Sequence, residues 1–220
     1  MSDLPTCALL IVDVQYDFLP RGALAVSEGD QVIPIINRLI PKFELVIATQ
    51  DYHPVNHGSF AANHPNHKIG DFIDLNGVTQ ILWPTHCVQG TPGALISDQL
   101  PLARLTHVVQ KGTNPGIDSY SVFFDNGRKR ATGLHDYLQK QKVVEIFVCG
   151  LATDYCVKYS VLDSISLGLK TYLISDACRG VDLQLGDSAR ALQEVQAAGV
   201  IMTDSTEILF GSLANKEQYF

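Results

Sequence analysis

The chain has 220 residues, 46% hydrophobic and 18% charged, with sixteen Lys and Arg against twenty-three Asp and Glu for a formal net charge of −7. That balance excludes intrinsic disorder and a coiled coil, and an acidic chain without a basic run argues against nucleic acid as the main partner. No apolar run approaches the ~20 residues of a membrane span, and residues 1–6 carry an Asp and no positive stretch of the kind that opens a signal peptide. A chain of this length buries roughly 70% of the surface its unfolded form exposes, so it needs no disulfide staple. Cys7, Cys87, Cys149, Cys156 and Cys178 are an odd number and widely spaced, which fits a reduced, cytoplasmic compartment.

In chain order, short apolar runs rich in β-branched residues predict buried strands at 8–12, 45–48, 107–109, 145–149, 171–174 and 200–202. Apolar residues at helical spacing predict helices at 31–40, 133–141, 153–167 and 187–198. The last two stop at Gly168 and Gly199, a residue type suited to the position just past a helix end. Strands that are apolar throughout, separated by helices, imply an α/β fold: a doubly wound, mostly parallel sheet with helices on both faces. A single domain over residues 1–220 is expected. One stretch, 51 to about 104, breaks the alternation with His, Asn, Gly and Pro and little periodicity, and it holds five of the seven histidines. Long irregular segments inside a compact domain usually carry function.

Open parallel sheets bind ligands beyond the carboxyl ends of their strands. The predicted strand ends here carry Asp13, Asp51, Lys111, the run Gly150-Leu-Ala-Thr-Asp-Tyr-Cys156, and Asp176, which reads better as a turn former. Cys156 falls in the first turn of a predicted helix with Thr153 as its N-cap. The positive end of the helix dipole would lower its thiol pKa and suit it to nucleophilic attack, with Asp154 opposing if it points at the sulfur. The other four cysteines read as small core residues. Asp13, its pKa raised by burial, could take the thiol proton, and Lys111 could hold the thiolate or a developing oxyanion.

Asp51 and His53, at i and i+2 on an extended strand end, project to one face and can share a metal ion. Their O and N donors suit Zn²⁺ and also Fe²⁺ or Mn²⁺. A third ligand would come from His57, His64, His67 or His86, with His86 preferred because Trp83-Pro-Thr-His86-Cys makes a constrained turn. His64 and His67 read as solvated loop residues, and His107 and His135 as structural ones. Phe18, Trp83 and Tyr120 are aromatics that could shape a pocket for a flat ring.

Taken together, Asp13-Val-Gln15-Tyr-Asp17-Phe18, Lys111-Gly112, Tyr120-Ser-x-Phe123 and Gly150–Cys156 resemble the isochorismatase-like cysteine hydrolases, over about residues 7–210. Thr49-Gln-Asp51-Tyr-His53-Pro and Trp83-Pro-x-His86-Cys narrow the resemblance to the nicotinamidase (pyrazinamidase) branch. The resemblance implies a triad of Asp13, Lys111 and Cys156, and an oxyanion hole from the amides of Ala152 and Cys156. It further implies a cis Leu151–Ala152 bond, a metal on Asp51, His53 and His86 (zinc first), and Phe18, Trp83 and Tyr120 around the substrate. Some relatives add a fourth protein ligand after the Asp-x-His pair; here His57 or Ser59 falls near that place. The implied reaction is hydrolysis of nicotinamide to nicotinate and ammonia through a thioester. Competing readings are another amidase of the superfamily, a metal-free vinyl-ether hydrolase, and a nucleotide-binding or metal-sensing α/β module. A nucleotide-binding module lacks support, since Asp13-Val-Gln stands where a Gly-x-Gly-x-x-Gly turn would begin.

Overall fold

Each of the six apolar runs forms a strand, and together they make one parallel sheet. The structure, a computed structural model, describes residues 6–211. Residues 1–5, most of the stretch read for a targeting signal, lie outside the described residues. The strands are β1 (Thr6–Val12), β2 (Leu45–Asp51), β5 (His107–Lys111), β6 (Val143–Leu151), β7 (Lys170–Arg179) and β8 (Ile201–Thr203). Their order across the sheet is β5-β2-β1-β6-β7-β8. From β1 the chain therefore winds outward in one direction through β2 and β5, then returns to β6 and winds the other way. The reversal between β1 and β6 is the switch point at which such sheets open a crevice.

β2 is buried at every position and β1 at all but its first, which requires cover on both faces. The helices are α1 (Val32–Leu39), α2 (Leu134–Lys140), α3 (Lys158–Ser166), α4 (Asp187–Ala197) and α5 (Ser205–Leu209). α1 buries Val32, Ile33, Ile36 and Leu39, spaced i, i+1, i+4, i+7 along one face of an amphipathic helix. None of the described helices is long and apolar enough to cross a membrane.

Two local expectations change. The 51–104 stretch contains an antiparallel hairpin, β3 (Phe72–Leu75) and β4 (Val78–Ile81), where no regular structure was expected. Asn76 and Gly77 join its strands with φ of +54° and +85°, the left-handed pair of a tight hairpin turn, and Gly tolerates it best. The expected helix at 153–167 divides into a π turn, Thr153–Val157, followed by α3. Thr153 is not its cap: Ala152 occupies that position, with no side-chain capping bond.

Candidate active site

The carboxyl ends of β1, β5 and β6 bring Asp13, Lys111 and Cys156 together. Lys111 is the hub, its side chain fully buried. Its Nζ lies 2.9 Å from Asp13 Oδ2 and donates to Asp51 Oδ1 at 2.5 Å, to the Ser119 carbonyl at 2.9 Å and to Cys156 Sγ at 3.4 Å. Asp13 sits at φ +47°, where the chain leaves the sheet, and its Oδ1 accepts from the Thr49 hydroxyl at 2.5 Å. Carboxylate oxygens of Asp13 and Asp51 and the Cys156 sulfur all lie within 4.8 Å of one another.

Burial decides the charges. It pushes the Asp13 carboxyl up from its ordinary value, against the pull of Lys111. Burial alone would lower the Lys111 ammonium, but Asp13 and Asp51 hold it well above the usual range. Burial also raises the Cys156 thiol well above a free cysteine, with Lys111 opposing and Asp13 reinforcing the shift. The direction is opposite to that expected of a thiol activated by the helix start, and desolvation is its largest cause. Asp154 is not among the main causes of the shift; its two oxygens accept from the amides of Val181 and Asp182 at 2.9 and 2.8 Å.

Asp51, His53 and His86 form a second set, with one donor atom from each lying within 4.8 Å of the others. Asp51 Oδ2 is 3.5 Å from His53 Nε2 and 3.9 Å from His86 Nε2. The His86 segment reaches β2 by running alongside its end: His53 N donates to the Cys87 carbonyl, and Gln89 N to that of His53. Both imidazoles face a backbone carbonyl through Nδ1, Gly112 for His53 and Pro84 for His86, each at 2.8 Å. Such bonds place the proton on Nδ1 and leave the Nε2 lone pair free to ligate. Gly112 must be glycine, since a Cβ there would sit 2.3 Å from the His53 ring.

His53 Nε2 is buried with no hydrogen-bond partner, an orphan that a cation would satisfy. The set also attracts positive charge. Burial works against the His53 imidazolium, but Asp51 outweighs it and brings the pKa up to about 8. Burial, helped by His53, lowers His86 to about 4, which keeps it a neutral ligand. Burial would raise Asp51, but Lys111 and the two histidines hold it well below the usual carboxylate range. The donor set fits a divalent cation.

His57 stands behind His53, ring centroids 4.3 Å apart, and its Nδ1 is occupied by Ser59, whose Oγ is at 2.7 Å. It falls into a separate group with His53 and Asp118 rather than with Asp51 and His86. His64 and His67 lie on the outer loop, bonded to the Gly58 carbonyl and beside Asp71.

A small cavity opens between the two sets, lined by Cys156, Ala152, Asp51 and His86 together with Phe18, Trp83 and Tyr120. The Leu151–Ala152 bond is cis. Tyr155, Asp118 and Val181 also line the cavity and were not singled out from the sequence. Tyr155 lies inside a quoted motif, one residue before Cys156, and Asp118 lies outside the motifs, two residues before Tyr120. The Tyr120 hydroxyl accepts from Trp83 Nε1 at 3.1 Å and Gln80 Nε2 at 2.9 Å, so the unforeseen β3–β4 hairpin braces the aromatic wall.

The model of the isochorismatase domain matches residues 7–207. The chain belongs to the isochorismatase family. Within that family it is 49% identical over 203 residues to a nicotinamidase of Escherichia coli, covering 90% of this chain and 95% of the relative. A solved nicotinamidase/pyrazinamidase of Acinetobacter baumanii superposes with a TM-score of 0.90 at 43% identity, covering 94% of this chain and all of that one. A pyrazinamidase of Pyrococcus horikoshii, solved in complex with zinc, superposes with a TM-score of 0.74 at 36% identity, over 90% and 98% of the two chains.

Proposed function

We infer that this chain hydrolyses nicotinamide to nicotinate and ammonia, using Cys156 as nucleophile. The observation that carries this is the meeting, at one aromatic-lined cavity, of the Asp13–Lys111–Cys156 cluster with the Asp51–His53–His86 donor set.

Phe18, Trp83 and Tyr120 hold the flat ring and present its carboxamide to Cys156. Asp13, whose basicity is raised by burial, takes the thiol proton as Sγ attacks the amide carbon. The amides of Ala152 and Cys156 receive the oxyanion. Asp13 then protonates the departing ammonia, leaving a thioester, and afterwards draws the proton from the water that hydrolyses it. Lys111 stays charged throughout, orienting Asp13 and offsetting negative charge beside the sulfur. A divalent ion held by Asp51, His53 and His86, zinc in preference to Fe²⁺ or Mn²⁺, would supply a Lewis-acid anchor for the pyridine nitrogen. A cytoplasmic location is part of the same proposal, because five widely spaced cysteines, an odd number, suit a reducing compartment.

Ammonia release from nicotinamide by the purified protein, measured before and after chelation, tests the assignment. Turnover that falls on chelation and is absent in Cys156→Ala is the expected result. A fully active Cys156→Ala protein would overturn it.

A further inference from the structure

β1 and β2 pair in register only as far as Ile11 opposite Ala48. There the chain leaves the sheet through Asp13, while β2 runs on to Asp51, still paired with Lys111 of β5 on its other side. The end of β2 thus loses its neighbour on the β1 side. Asp51 is buried, so both its peptide groups facing that side need partners. Gln15 supplies them. Its Oε1 accepts from Asp51 N at 2.8 Å, and its Nε2 donates to the carbonyls of Asp51 and Ala94, each at 2.8 Å. A primary amide carries the donor and acceptor of a peptide unit, so this wholly buried side chain stands in for the missing strand.

Two residues further on, Asp17 does the same for the other arm. Its Oδ2 accepts from Cys87 N at 2.7 Å and its Oδ1 from Ala23 N at 3.2 Å. Cys87 directly follows His86 and has φ +47°, a backbone conformation that an ordinary side chain adopts only when held. Side chains 13, 15 and 17 of one short segment therefore reach the thiol cluster, the backbone of Asp51 and the backbone beside His86.

We propose that Gln15 and Asp17 are positioning residues for cation binding, Gln15 fixing the backbone of Asp51 and Asp17 that of His86. The proposal rests on the reading that Asp51, His53 and His86 hold the ion. Neither residue touches the ion or the substrate; each acts through a ligand.

The test measures Zn²⁺ affinity of the full chain, stripped by chelator, in competition with a chromogenic chelator, alongside the melting temperature without metal. Gln15→Met keeps the length of the side chain but leaves the amide and the carbonyl of Asp51 without the Gln15 partner, while the Ala94 carbonyl keeps Gln50 Nε2 at 2.6 Å. Its affinity should fall roughly 10- to 100-fold, the usual cost of losing a group that orients a ligand. Asp17→Ala should lose about tenfold and Asp17→Asn, which keeps one acceptor, less. Thr171→Val serves as control, removing a buried hydroxyl 2.6 Å from Ser164 Oγ in a part of the fold away from the ligands. It should lower the melting temperature while leaving affinity within about twofold of the parent. Affinity within about twofold of the parent in Gln15→Met would overturn the proposal. Should that variant not fold, Gln15→Glu and Asp17→Asn make the same comparison, and parental affinity in both overturns it. A parent chain that takes up no Zn²⁺ would refute the ligand set itself; loss in Asp51→Ala with none in Gln15→Met refutes only the positioning role.

Discussion

The carboxyl edge of the sheet and the 51–104 segment furnish one cavity, yet they are held by different means. Asp13, Lys111 and Cys156 stand at the ends of strands whose ladders and apolar cover fix the backbone. Beyond β2, the segment that carries His53 and His86 is held by backbone bonds to its own returning arm and by polar side chains that reach in: Gln15 to Asp51, Asp17 to Cys87, Gln89 to the Tyr52 carbonyl. The strand-end cluster is thus as rigid as the sheet. The donor set depends more on a few individual hydrogen bonds, and the two meet at the Lys111–Asp51 pair.

The largest effect should come from Cys156→Ala, which should cut nicotinamide turnover roughly 10⁴-fold or more with the fold intact by circular dichroism. Lys111→Met should lose both turnover and global stability. It leaves the buried Asp13 and Asp51 carboxylates without their cation, a type of change that costs about 3–5 kcal/mol, readable as a lower urea midpoint. Damage confined to turnover would break the idea that this cluster belongs to the sheet.

Asp51→Ala should abolish stoichiometric metal in an elemental assay. Stripping the ion from the parent chain should remove the linkage stabilisation, about 2.7 kcal/mol at a hundredfold excess of ion over Kd. At the hairpin, Gly77→Val forces a β-branched residue to φ +85°, loosens Gln80 and the Tyr120 wall, and should raise KM several-fold more than it lowers kcat. The smallest effect is spectroscopic in scale. Because burial raises the Cys156 thiol, its alkylation by iodoacetamide should still be climbing with pH above the ~8.5 of a free cysteine. A plateau near neutral pH would instead mean a standing thiolate–Lys111 pair.

The six strands were legible because each carries a short apolar run, and the residues just past them could be read as a site because parallel sheets bind ligands there. His86 was less secure, since sequence spacing does not show which arm of a long loop returns beside β2. The hairpin went unread although Asn76-Gly77 announces it: its strands alternate weakly and pack on loops, so periodicity was faint. Gln15 was quoted as a motif residue without a role, because its partner is the backbone of a strand end and no residue pattern marks that. The thiol was misjudged for a related reason. A helix start is visible in sequence, whereas complete desolvation of the sulfur appears only once the sheet and cavity are assembled.

The central pairing of the sheet has a consequence for synthesis. β1, synthesised well before β6, takes β6 as one neighbour, with Thr6 opposite Val143 and Val12 opposite Gly150. Until those later residues emerge, a wholly apolar strand has one open edge, and contacts between such distant parts of a chain form slowly. The same late insertion delivers Cys156 to Asp13 and Lys111. A nascent or truncated chain ending before β6 is therefore both sticky and inert, and competence arrives in one step, when the middle of the sheet closes.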